Sequence, residues 1–544
     1  MAGHREVISL QFGHYSNFIG THWWNIQELA FDYTATAPSE INHDVLFREG
    51  ETRQGHVTYT PRLLLVDLKG SLGSMPEHGG LYETSQEEQE PEPIWVNQVE
   101  VQRKEKFKNN EFLADLANEE KTGEPVPQTK QYKLDDCVDV WSDFLRTRYH
   151  PRSINIVQEY ERGSESSKFD AFPQGAALWK TDLFEDTFVD SIRRYAEESD
   201  NLQGFQVLVD SVNAFGGLAS AATQFLADDY SSKSIFTFPV GHGSYPERLA
   251  ALETLRTANV ALCIQNLALH STMMVPISTS RGFWQQNAVP RLLPHVNYKP
   301  HLPYHTSSLI AATLEGCTLP FRVHNGLGMS DLEHSLVFNG RKAVAASLNF
   351  PFPIDDRGYL LNTLEDWEGP LLQGMSACCD MDHDRVWAQS ISIRGVPLAR
   401  LKPPNAPTNN SNPAYTSTKV DEMLLYFLQC TSPETKSHVT SVNLPCSVGA
   451  PFPNMFAPSV GQTGFLVPDD QPNTSGVRTV PMLTGLHSSR SVGAMLESLQ
   501  SQASHSHWRN LPQLAEAGLE RDDYSESLEQ LLQFAECYNE EFEV

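Results

Sequence analysis

The sequence predicts an α/β protein whose N-terminal part is built on a parallel sheet. Two observations predict it. Short, largely apolar runs of strand length recur at Val7–Leu10, Leu63–Val66, Ile154–Val157, Phe205–Val209 and Ile235–Phe238. Between them lie turns and segments of helical periodicity. Parallel neighbours need a crossover that covers one face of the sheet, so strand, turn, helix, strand is the expected order.

The elements follow in sequence. After Val7–Leu10, Gly13, Ser16 and Asn17 form a turn, and Phe18-Ile19-Gly20 through Trp23-Trp24 continues as a helix. Leu63–Val66 reads as a buried strand ending in Asp67. Beyond Gly79-Gly80 comes Glu87-Glu88-Gln89-Glu90-Pro91-Glu92-Pro93, which has little to bury and reads as an exposed loop. The whole stretch of about 85–130 is expected to be a flexible acidic insertion, with room for one short helix. Order returns at Val140-Trp141-Ser142-Asp143-Phe144-Leu145. Phe184, Phe188, Ile192 and Tyr195 recur at spacings of 4, 4 and 3, the mark of an amphipathic helix. Strand Phe205–Val209 ends in Asp210, and a turn with Gly216-Gly217 leads to a helix with Leu218, Ala221, Ala222, Phe225 and Leu226 on one face. Residues from about 420 read as short helices alternating with Pro-rich turns. Leu528, Leu531, Leu532 and Ala535 mark a last helix, with Asp522-Asp523 in a capping position.

Composition excludes several functions. The 544 residues carry 68 acidic against 40 basic side chains, a formal net charge of -28. That surface repels phosphate backbones and anionic lipid, so no nucleic-acid partner is expected. The eight cysteines are scattered without a C-x-x-C pair and read as reduced thiols in a cytosolic setting. No run reaches the roughly 18 apolar residues of a membrane span, and the first residues resemble neither a secretory signal nor a transit peptide. There is no G-x-S-x-G, Walker loop or H-E-x-x-H. His301 and His305 have Pro303 between them and read as two turn histidines. Asp355-Asp356 and Asp380/Asp382 read as solvated loop charges.

Three stretches, in order, resemble tubulin. Arg5-Glu6-Val7-Ile8-Ser9-Leu10-Gln11-Phe12-Gly13-His14-Tyr15-Ser16-Asn17-Phe18-Ile19-Gly20 resembles the opening R-E-I-V-x-I-Q-x-G-Q-C-G-N-Q-I-G. Tyr59-Thr60-Pro61-Arg62-Leu63-Leu64-Leu65-Val66-Asp67-Leu68 is similar to Y-x-P-R-A-x-x-V-D-L. Leu202-Gln203-Gly204-Phe205-Gln206 is identical to the L-Q-G-F-Q before tubulin's phosphate loop. Nearly the whole chain is similar to the misato family of tubulin-related proteins, through Trp23-Trp24, Tyr59 to Gly70-Ser71, Trp141 to Leu145, His150-Pro151-Arg152-Ser153-Ile154 and Tyr304-His305-Thr306-Ser307-Ser308. The resemblance implies a tubulin-like fold. Residues 1–270 would be a degenerate nucleotide-binding domain, 271–485 a mixed α+β middle domain and 486–544 a C-terminal helical segment.

The ancestral pocket, by this resemblance, comprises Gly13, His14, Tyr15, Asp67, Phe215, Gly216 and Gly217. It is eroded. His14 and Tyr15 stand where tubulins have Gln and Cys, and Lys69 stands where an acidic residue helps hold magnesium. Val212-Asn213-Ala214-Phe215-Gly216-Gly217 replaces G-G-G-T-G-S-G. Such loops hold phosphate through backbone amides that glycine lets approach closely. Each such hydrogen bond is worth roughly 1.5–3 kcal/mol, so losing three costs about 4–9 kcal/mol, or three to six decades of affinity. An N-x-D-x-x-E helix is missing where Gln265-Asn266-Leu267-Ala268-Leu269 stands. No catalytic residue, metal or cofactor is therefore expected, with weak GTP binding left open. The resemblance implies a non-catalytic role in mitochondrial distribution, morphology and fusion, in the cytoplasm and peripherally at the mitochondrial outer membrane. Partners would be proteins of that membrane, or tubulin or its chaperones. The alternative is a tubulin-like GTPase acting in tubulin folding, spindle assembly or chromosome segregation.

Overall fold

The computed structural model describes residues 5–31, 39–51, 57–76, 109–123, 130–164, 167–245, 249–285, 288–377, 379, 385–406, 413–468 and 470–539. Six strands form the first sheet: β1 Glu6–Phe12, β2 Leu63–Lys69, β3 Ile154–Glu161, β4 Leu202–Asp210, β5 Ser234–Val240 and β6 Met273–Met274. Their order is β3-β2-β1-β4-β5-β6, and every neighbouring pair is parallel. All five strands expected from the sequence lie in it. Phe12 pairs with Val66 on one side and Val209 on the other.

The sheet is covered on both faces, which is why its central strands read as continuous apolar runs. Ile8, Leu10 and Phe12 point into one core with α3 Phe172–Leu178, α4 Val189–Glu197, α5 Phe215–Asp229 and α6 Ala250–His270. Phe184, Phe188, Ile192 and Tyr195 are all buried there, as their spacing predicts. Val7, Leu63 and Leu65 point the other way, toward α1 His14–Glu28 and α7 Pro303–Thr318. Within the expected acidic insertion, α2 Glu111–Thr122 is a helix that buries Phe112 and is capped by the Asn110 side chain on the Leu113 amide at 2.9 Å. The acidic tract of 87–93, and Asp380 and Asp382, lie outside the described residues.

A second, mixed sheet comprises β7 Ala345–Asn349, β8 Gln373–Gly374, β9 Val386–Arg394, β10 Lys436–Val442 and β11 Met482–Ser489, in the order β8-β7-β11-β9-β10. Helix α7 packs between the two sheets. α8 Val420–Thr431 covers the β9–β10 side, and α9 Arg490–His505 and α10 Arg521–Glu536 pack over α6.

Three local expectations are corrected here. The region after 420 contains β10 and β11, not only helices and turns. β10 reads KSHVTSV and β11 MLTGLHSS, so Ser, Thr and His mask the strand period. His305 lies in the first turn of α7, not in a turn. Pro303 sits at the first helical position, where its missing N–H and fixed φ suit a helix start. Asp522 and Asp523 lie inside the first turn of α10, where they favour the helix dipole, and not before it.

One buried network ties these layers together. Glu315 of α7 is 1% exposed and faces Arg322 and Arg394, both fully buried. Its Oε2 lies 2.8 Å from Arg322 Nη2 and accepts from Trp23 Nε1 at 3.1 Å and from the Gln27 amide. Arg394 Nη1 of β9 donates to Oε1. Burial alone would raise the Glu315 pKa, but the two guanidinium groups outweigh it and hold the carboxyl below its usual range. Removing one member leaves buried charge without a partner. Glu315→Ala is expected to destabilise the fold by about 3–5 kcal/mol, read from chemical denaturation midpoints. Replacing Glu315, Arg322 and Arg394 together by Met should recover most of that loss.

Candidate functional site

The site forms where β1, β2 and β4 end. β1 passes into α1 through Gly13, whose φ is +110°. A Cβ there would lie 2.5 Å from the Asp210 carboxyl carbon, so the turn needs glycine twice over. Asp210, the last residue of β4, sets its carboxylate on the start of α1. Oδ2 accepts from the Tyr15 amide at 3.0 Å; Oδ1 accepts from the Ser16 amide and the Ser16 hydroxyl, both at 2.7 Å. A helix N-terminus offers free N–H groups and a positive dipole end to an anion. Here the anion is a side chain of the protein itself. Burial raises the Asp210 pKa to about 6, against the lowering effect of the Ser16 and Tyr15 hydrogen bonds; the nearby Asp67 adds to the rise.

Asp67, two residues before the end of β2, is saturated in the same way. Oδ2 accepts from His14 Nδ1 at 3.1 Å, Asn17 Nδ2 at 3.0 Å and Trp141 Nε1 at 2.9 Å. Oδ1 accepts from the Leu68 amide and the Ser71 hydroxyl, each at 2.8 Å. Burial raises its pKa, but His14 and the hydrogen bonds from His14, Asn17 and Leu68 win, so the carboxyl lies below its ordinary value. Tyr15 turns inward: its hydroxyl donates to Thr306 Oγ1 of α7 at 2.9 Å, and its ring meets His242 edge-on at 5.2 Å. Lys69 is exposed at the end of β2.

The phosphate-loop equivalent has become packing. Phe215 is buried against Phe169, ring centroids 5.0 Å apart. The Phe215 amide donates to Asn213 Oδ1 at 3.0 Å, Gly216 to the Asn213 carbonyl at 3.1 Å and Gly217 to the Ala214 carbonyl at 3.0 Å. These amides therefore have acceptors inside their own turn. A Cβ at Gly217 would lie 1.9 Å from the Phe172 carbonyl oxygen of α3, so this glycine permits the close approach of α3 and α5. Asn259 of α6 braces the same turn, donating to the Val212 carbonyl at 3.0 Å and accepting from the Phe172 amide at 3.0 Å.

The structure thus gathers Gly13, His14, Tyr15 and Asp67 in one polar cluster, and sets Phe215, Gly216 and Gly217 at the start of α5, on the turn that follows Asp210. Among the described residues no group of His, Cys, Asp and Glu is arranged to hold a metal. Sequence reading missed Asp210, Ser16, Ser71 and Trp141. The available signal was the matching Asp at the end of two apolar strands. Gln265, in the segment that stands for an N-x-D-x-x-E helix, is buried in α6 and donates to Gln530 of α10 at 2.5 Å.

Comparison with known proteins agrees with a tubulin-like fold. A family profile for the Misato Segment II tubulin-like domain matches residues 5–118, and one for the Tubulin domain matches 131–323. Protein misato homolog 1 of Danio rerio is 34% identical over 580 residues, covering 98% of this chain and 97% of its own. Its counterpart in Homo sapiens is 33% identical over 566 residues, covering 98% of each chain. Protein misato of Drosophila melanogaster is 33% identical over 571 residues, with the same coverage. The chain belongs to the misato family. The misato and tubulin profiles divide the first sheet between them, β1 and β2 in one and β3 to β6 in the other, and the tubulin match ends just past Arg322.

In this misato-family chain the two aspartates titrate with opposite consequences. The native state holds the Asp210 proton more tightly than the unfolded chain does, so it binds more protons between about pH 4 and 6 and stability falls as pH rises through that window. The Asp67 contribution is present above its unfolded pKa of 3.8 and is lost as pH falls below it. The melting temperature of the wild type minus that of Asp210→Asn should fall as pH rises from 4 to 7.

Proposed function

We propose that this misato-family chain is a non-catalytic, tubulin-like protein that regulates mitochondrial distribution, morphology and fusion through protein–protein contacts. The observation that carries the non-catalytic reading is the Asp210 carboxylate seated on the N-terminus of α1. A nucleotide phosphate at that position would have to displace it, or lie beside a buried like charge. The amides of Phe215, Gly216 and Gly217 already have internal acceptors, and Lys69 brings positive charge where a magnesium ligand is wanted. Phosphoryl transfer needs metal, phosphate and water positioned together. The mitochondrial role rests on the family resemblance. Its partners would be proteins of the outer membrane, with tubulin or its chaperones as the other class.

Protein purified without added nucleotide should release no GTP or GDP on denaturation and show no magnesium-dependent GTP turnover above a blank. Turnover that is lost in His14→Ala would overturn the non-catalytic reading. Gly216→Trp is a poor control, because an added Cβ there meets Cys263 at 3.2 Å inside the core. Among the described residues no helix is long and apolar enough to cross a membrane. The proposed location is peripheral, so alkaline carbonate should release the protein from mitochondrial membranes; retention in the pellet would contradict it.

A further inference from the structure

A cleft of about 410 Å³ opens between α2 and the turn-rich segment that leads into β11, away from the aspartate cluster. Its apolar lining comes from Leu29 just beyond α1, Phe112 and Leu116 on α2, and the ring of Tyr132, with Glu119 of α2 beside them. Its polar lining includes Gln462, Thr463 and Arg478. Arg478 also borders the narrower groove that continues past Tyr304 and Phe452. The volume falls in the range of small-molecule sites, roughly 300–1,000 Å³.

Charge identifies the kind of occupant. The protein's formal net charge is -28, yet the Arg478 guanidinium meets an amide and not a carboxylate. With the Gln462 amide turned to accept, its oxygen lies 3.1 Å from Arg478 Nε and 3.2 Å from Nη2. Among the described residues no carboxylate is in ion-pair contact with it. Arg146, also on the lining, lies 3.6 Å from Glu119 Oε1, and Glu119 Oε2 is buried without a hydrogen-bond partner. The cleft therefore offers a guanidinium to an anion, and aromatic and aliphatic surface to an apolar body.

We infer that this cleft binds a small amphipathic anion, with Arg478 holding its charged head and Phe112, Leu116 and Tyr132 holding an aromatic or branched apolar body. The inference is independent of the nucleotide reading, since it shares no residue with the aspartate cluster.

Two fluorescent probes of nearly the same body test it on the full-length protein: 8-anilinonaphthalene-1-sulfonate, and the uncharged N-phenyl-1-naphthylamine. Saturable binding of the sulfonate at one site is expected. Arg478→Met should weaken the sulfonate about tenfold and leave the neutral probe unchanged. Two substitutions enlarge side chains on the cleft lining: Leu116→Trp, and Gly449→Leu, where an added Cβ meets nothing within 4 Å. Whichever of them keeps a wild-type far-ultraviolet circular dichroism spectrum should lose both probes. Absence of saturable binding, equal sulfonate affinity in Arg478→Met, or undiminished binding in a folded cleft-filling variant would each overturn the inference.

Discussion

A carboxylate removed from water must be surrounded by donors, and this constraint at Glu315 organises the protein. Trp23 and Gln27 come from α1, Arg322 from just beyond α7 and Arg394 from β9. Each brings its own element to one point between the two sheets. The network is not a cheap source of stability, because desolvating three charges offsets much of their attraction. What it supplies is a single permitted arrangement. Shifting the second sheet would strand the Arg394 guanidinium in the core, and shifting α1 would strip Glu315 of the Trp23 and Gln27 donors.

The same logic, applied at the ends of β2 and β4, decides the candidate site. Asp67 and Asp210 sit where parallel α/β sheets present their strand ends to ligands. In this chain both are fully engaged by protein donors. This chain is therefore a tubulin-like body in which the N-terminus of α1 is capped by one of its own carboxylates. That supports a reading in which surfaces, and not turnover, carry the function.

Much of the first sheet was legible in the sequence because its strands are buried on both faces, which leaves uninterrupted apolar runs. The second sheet was not. Its strands β10 and β11 are rich in Ser, Thr and His, and their pairing depends on partners far along the chain. The site was half legible. Gly13 and Asp67 carry motif information, whereas the meaning of Gly217 lies in the carbonyl of Phe172 on another helix. No local pattern reports such an approach. Asp210 follows an apolar run just as Asp67 does, but its partners Tyr15 and Ser16 are 195 and 194 residues earlier. Pro303 misled for a simpler reason: proline ends a helix from within and begins one from its first position.

That separation has a consequence for how the chain is made. α1, carrying Trp23 and Trp24, is synthesised well before β4, so the carboxylate that caps it arrives only when β4 has been made. At the roughly 5–20 residues per second of translation, the interval is about 10–40 seconds. Through all of it the first helix has no native cap at its N-terminus, and its tryptophans lack the α7 surface that later covers them. Native order in α1 therefore waits on elements far along the chain, and the helix can take its final form only after β4 and α7 have both been made.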